Sequence, residues 1–232
     1  LNPADNSDVR QKTILSLEVA VLMMALYVPT ILQELTEPSG MLLNSFSQLF
    51  SYHSFSYIAV RVGRVAVIAF TLWVAGDLRL LNFRFKVRPD IAILCVGLPL
   101  TIALELEGRF LNPSHGNRAF TPSAMSHASP WMLALAIVAL VGGTVFEEIF
   151  FRGYLMSRFE AISGNRWAAL CLSTVLFALG HTYQGAYGPI HATIFGLIMG
   201  LIFMYTRRLT TVAIIHAAVD LAFLYLMLTG KY

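Results

Sequence analysis

Residues 141–153 read VGGTVFEEIFFRG, two adjacent glutamates and an arginine set inside a long apolar run that extends over 131–158. A run of that length can be a core helix of a large soluble protein or a helix crossing a bilayer, whose hydrocarbon layer of about 30 Å needs roughly 20 apolar residues. Composition decides between them. Of the 232 residues, 57% are hydrophobic and only 12% charged, and the mean hydropathy is +0.68. Soluble domains average roughly 45–50% apolar and about 25% charged residues. One soluble core cannot hide this much apolar surface, which excludes a water-soluble globular enzyme, a disordered tail and an ordinary nucleic-acid binder. The formal charge of +3 then reports loop charges and not an anionic partner.

Working outward, about seven stretches can span a bilayer, near 13–34, 56–76, 89–106, 131–158, 166–184, 189–206 and 209–229. The expected fold is an all-α, polytopic transmembrane helix bundle. Very short connections separate the last four stretches and imply antiparallel neighbours. Residues 1–130 form one expected unit, the N-terminal spans and a polar loop, with substrate selection as a possible role; 131–232 form a four-helix core. The connection 35–54 reads as a short amphipathic piece along the interface. The connection 107–130, rich in Pro, Ser, Asn and His, reads as a surface loop, with a lid as the other reading. The chain begins at Leu1, and segment 13–33 is longer than a signal-peptide core and lacks a small-x-small cleavage site, so it reads as a span. Cys95 and Cys171 both lie in apolar runs and are expected to be buried thiols.

Positive charge orients the bundle. With the N-terminus cytoplasmic, the inner segments hold 11 of the 16 Lys and Arg residues, the outer segments 3, and Arg61 and Arg64 fall inside the second span.

Ionisable residues inside a bilayer cost roughly 2.5–3.5 kcal/mol each, so each one needs a reason. Glu147 and Glu148 in the fourth span, His181 at the end of LCLSTVLFALGH, and His216 and Asp220 in TTVAIIHAAVD can converge. If the fourth and fifth spans turn near residue 164, Glu147 lies 17 residues before the turn and His181 lies 17 after it, at one level. At 1.5 Å per residue, Glu147 sits about 16 Å from Arg158, and His216 and Asp220 about 12–18 Å from Arg208. Glu148 and Arg152 are i and i+4 and can form an ion pair. Glu147 points about 100° away from Glu148 and is expected to lack that cation, as a general base requires. Arg61 or Arg64 could instead pair with Glu147. His216 and Asp220, also i and i+4, can face one substrate atom, and Phe177, one turn before His181, can wall the cavity. His191 reads as an interfacial or supporting histidine, Gly196 and Gly200 as a close-packing pair, and Glu18, Glu105 and Glu107 as snorkelling or paired acids.

At these residues the sequence resembles the CPBP family, the Abi or CAAX-protease-like intramembrane endopeptidases related to the Ras-converting CAAX endopeptidases. Glu147, Glu148, Arg152 and Gly153 fit E-E-x-x-x-R-G, Phe177 and His181 fit F-x-x-x-H, and His216 with Asp220 close the last helix pair, over about 130–229. The resemblance implies hydrolysis of a peptide bond in a membrane-associated or lipid-modified protein or peptide. Glu147 and His181 would activate water, His216 and Asp220 would stabilise the oxyanion, and Glu148, Arg152 and Phe177 would support the site. The last motif often ends in Asn; here it ends in Asp220, and an ionised Asp accepts but cannot donate. Asp220 is then protonated, or orients His216, or contributes to a metal site. Glu147, His181 and His216 could hold a divalent metal such as zinc, yet the chain lacks H-E-x-x-H, and the cofactor stays open. The lipid bilayer is the expected environment and no nucleic acid the expected partner. The competing reading is a non-catalytic membrane immunity or scaffold protein using the same polar pocket. Paired discontinuous helices, the mark of a small transporter, are not evident.

Overall fold

In the computed structural model, residues 3–29, 31–32, 52–111, 130–182 and 187–229 are described; they form seven helices and no strand. Helix α1 starts at Pro3–Leu22 and continues through a π-helical turn, Met23–Tyr27. Helix α2 is Tyr52–Val74 and α3 is Val87–Leu111. Helix α4 is a composite: α-helical over Pro130–Glu147, π-helical over Glu148–Met156, and α-helical again over Ser157–Ser163. Helices α5 (Arg166–Leu179), α6 (Tyr187–Thr206) and α7 (Leu209–Leu228) complete the bundle.

By length and apolarity four helical stretches can cross a membrane: Val87–Leu104, Leu133–Ser163, Tyr187–Thr206 and Leu209–Leu226. The protein is an integral membrane protein, and the count of about seven spans holds only roughly. Helix α5 has 14 residues, fewer than a full crossing needs. Helix α1 opens ten residues ahead of the predicted span and carries Asp8, Arg10 and Lys12 on exposed surface. The two long connections fall largely outside the described residues. Helix α3 runs on to Leu111, past the predicted loop start at 107.

Local chemistry explains the joints. Gly164 closes α4 at φ +68°, a left-handed conformation that glycine adopts without Cβ strain. Asn165 then caps α5, its side-chain oxygen accepting from the Trp167 and Ala168 amides. The predicted turn near residue 164 is therefore present. The α6–α7 turn is tighter, and Arg207 carries it at φ +54°. Asn82 compensates from the α2–α3 connection: its side-chain NH2 donates to Arg207 O at 2.8 Å, and its carbonyl accepts from Leu209 N at 2.8 Å. Buried Asp90 on α3 adds a second tie, accepting from Arg208 Nε and from Thr211 Oγ1, each at 2.7 Å, and from the Lys86 amide. Together these contacts fix the start of α7, and with it the height of His216.

Helix α4 lies at the centre. It packs against α2 and α7 through its first half and against α5 through its π-helical segment. All nine residues Glu148–Met156 are buried, and Phe146, Phe150 and Tyr154 stack along one face at centroid distances of 5.8 and 6.3 Å. At the end of α4, Arg158 reaches Glu18 on α1 at 2.8 Å and Asp77 at 2.7 Å. Glu18 is thus a paired acid. The expectation for Cys95 and Cys171 is corrected: both are exposed on helix surfaces. An apolar run does not distinguish a lipid-facing side from a bundle-facing one, because in a membrane protein both are apolar.

Candidate active site

His216 is the hub of the polar cluster. Its Nδ1–H donates to Glu148 Oε1 at 2.7 Å, and the same oxygen accepts from Arg152 Nη1 at 3.1 Å. Glu148 and Arg152 are 1% and 2% exposed. The Glu148–Arg152 ion pair is present as the i, i+4 spacing predicts, and it survives inside the π-helical segment. The other ring nitrogen, Nε2, lies 3.9 Å from Glu147 Oε2 and 3.8 Å from Asp220 Oδ2. Adjacent residues on a helix diverge by about 100°. Glu148 can therefore reach one edge of the imidazole while Glu147 faces the other.

Two expectations change. Glu147 does not lack a cation, since Arg61 Nη1 stands 3.8 Å from its Oε1. That separation exceeds a hydrogen bond, so Arg61 acts on Glu147 through charge. Arg61 comes from α2 and stacks over Phe146 at 5.0 Å, with Arg64 over the same ring at 5.8 Å. Glu148, for its part, does more than balance Arg152, because it contacts His216 directly. A hydrogen bond from Nδ1 fixes which nitrogen faces the cavity, and so selects the ring's tautomer and orientation.

His181 sits at the end of α5, where its Nδ1–H donates to Phe177 O at 2.8 Å. In the neutral ring this leaves the lone pair on Nε2. His181 is close enough to Glu147, His216 and Asp220 to interact with each electrostatically. Phe177, 2% exposed, divides the two histidines, with ring centroids 4.6 Å from His181 and 6.2 Å from His216. The Arg152 guanidinium lies 4.4 Å from the centre of the Phe177 ring, so this arginine braces both the acid and the aromatic wall. Phe195 on α6 closes the remaining side at 4.8 Å from His216. His191, one turn before Phe195, stacks on Tyr187 at 5.9 Å.

Asp220 is held from another helix. Thr144 Oγ1 on α4 donates to Asp220 Oδ2 at 2.5 Å. Sequence reasoning passed over Thr144; its signal was a hydroxyl one turn ahead of Glu148 on α4. Gly196 and Gly200 on α6 face α5 as a close-packing pair. A Cβ on Gly196 would stand 3.2 Å from Phe177 Cδ1 and 3.3 Å from Thr174 Cγ2. Among the described residues no group of three or more His, Cys, Asp or Glu side chains is arranged to hold a metal ion.

The bundle and this cluster define a polytopic membrane protein with carboxylates and histidines gathered around one apolar-walled site. Residues 129–222 match the family model of type II CAAX prenyl endopeptidase Rce1-like proteins. Over these residues the match supports the resemblance to the CPBP, CAAX-protease-like family, and with it an intramembrane endopeptidase in general terms. No curated protein and no solved structure matches the chain.

Proposed function

We propose that the protein hydrolyses a peptide bond in a membrane-associated or lipid-modified substrate, with Glu147 and His181 activating water and His216 and Asp220 forming the oxyanion side. The observation that carries this reading is the clasp on His216, in which Glu148 occupies Nδ1 and Nε2 is turned toward Glu147 and Asp220. In its imidazolium form His216 donates Nδ1–H to Glu148 and offers Nε2–H to a developing oxyanion, the kind of preorganised donor that stabilises acyl-transfer transition states.

The water oxygen attacks the carbonyl carbon while the Glu147 carboxylate takes its proton, with His181 Nε2 holding the water by its lone pair. Glu147 then returns the proton to the amide nitrogen as the C–N bond breaks, giving an acid and an amine. Water supplies OH to one product and H to the other, so the atoms balance. Arg61 beside Glu147 holds the carboxylate in place by charge and comes from the N-terminal helices, to which we assign substrate selection. The family description points to a peptide carrying a prenylated CAAX cysteine. The N-terminus is assigned to the cytoplasm from the excess of inner Lys and Arg.

The test compares protein termini in membranes of cells carrying wild type or Glu147→Gln at matched expression. New termini are expected only with wild type, and their sequences identify the substrate. Coincident terminomes would remove the peptidase assignment.

A further inference from the structure

Thr144 is 3% exposed and lies outside the proposed sequence of proton transfers. Its oxygen is 2.5 Å from Asp220 Oδ2 and 3.1 Å from Leu140 O, one turn back on α4. A threonine hydroxyl has one hydrogen, and the shorter contact, within the range of a hydrogen bond to a carboxylate, takes it. The same Oδ2 is 3.8 Å from His216 Nε2, beyond hydrogen-bond reach.

That gap needs an explanation. Asp220 and His216 are i and i+4 on α7, a spacing at which side chains meet. A carboxylate and an imidazolium N–H attract each other and, if unhindered, close to about 2.7–2.9 Å. Asp220 would then cap the nitrogen that the proposed reaction needs for the oxyanion. The hydrogen bond that Asp220 Oδ2 makes instead is to Thr144 on α4. We propose that Thr144 is a positioning residue: by holding Asp220 Oδ2 it keeps Asp220 off His216 Nε2 and leaves that N–H for the substrate. The proposal rests on the peptidase reading for its purpose, while the clamp itself can be read without it.

The test uses the full chain in nanodiscs and a farnesylated, internally quenched CAAX peptide as probe. Removal of one oxyanion donor costs about 10²–10³-fold in kcat, and partial capping is expected to cost Thr144→Val roughly 10–100-fold with KM within about twofold. Thr144→Ser, which keeps the hydroxyl, is expected to stay close to wild type. In an Asp220→Ala background, whatever the loss of Asp220 itself costs, Thr144→Val should have no further effect, so the double variant should match Asp220→Ala alone. Masking of that kind is not expected from a packing defect. Thr144→Val with unchanged kcat, or a double variant well below Asp220→Ala alone, overturns the proposal. A second readout is the infrared carboxyl stretch of Asp220, assigned by its loss in Asp220→Asn. It should shift in Thr144→Val and return in Thr144→Ser. If wild type leaves the peptide uncut and its terminome coincides with that of Glu147→Gln while the band shifts, the peptidase reading fails and the clamp stands; an unmoved band overturns the clamp.

Discussion

Glu148 Oε1 accepts the Nδ1–H of His216 at 2.7 Å across two helices, although Asp220 lies one turn away on the histidine's own helix. The same oxygen holds Arg152 at 3.1 Å. Glu148 is therefore both a charge partner and the group that orients the ring, and the neighbouring glutamates have separable roles.

Replacing Glu147 with Gln tests the first role. Its ionic partners Arg61 and His216 stand 3.8 and 3.9 Å away, beyond hydrogen-bond reach, and Gln keeps the side chain's size, so little packing is lost. Folded yield and thermal midpoint should stay near wild type, while turnover of the farnesylated peptide falls by about 10²–10⁴-fold, the usual worth of a general base.

Glu148→Ala is expected to behave differently. Arg152 is 2% exposed and would be left without its carboxylate. Removing one partner of a buried pair costs about 3–5 kcal/mol. Thermal unfolding in detergent should show a large drop for Glu148→Ala, with activity and folded protein lost together.

Asp90→Ala removes the acceptor that ties Arg208 and Thr211 at the start of α7. Arg208 is 8% exposed, so the same penalty of about 3–5 kcal/mol applies. The variant should unfold at lower temperature and give less extractable protein. Asp90→Asn, which still accepts one bond, should lie between it and wild type.

Gly200→Ala places a Cβ against the Leu170 side chain at the α5–α6 contact. Overpacking a tight core contact costs about 1–3 kcal/mol. The thermal midpoint should fall. Gly196→Ala, whose Cβ would press on Phe177 and Thr174, should in addition lower kcat through the shifted aromatic wall.

Exhaustive chelation of divalent metal is expected to leave peptide cleavage within about twofold of the untreated enzyme, as follows from acid–base catalysis by positioned side chains alone. Loss of cleavage on chelation and its return with zinc would instead assign an ion to the site.

Much of this protein was legible before any coordinates. Low charge and long apolar runs required a membrane bundle, because surface of that composition has nowhere else to go. The Glu148–Arg152 pair was legible too, since i, i+4 neighbours on one helix meet whatever the rest of the chain does. So was the turn at Gly164, after which α5 carries His181 back to within electrostatic reach of Glu147. What the tertiary structure alone decided are the contacts between helices. The rotation of α4 against α7 gives His216 to Glu148 and Asp220 to Thr144, and the approach of α2 puts Arg61 beside Glu147. The facing of Cys95 and Cys171 belongs here as well, for lipid and bundle interior accept the same residues. Periodicity along one helix fixes which residues share a face; which face meets which neighbour depends on packing among the helices, and no local spacing encodes it.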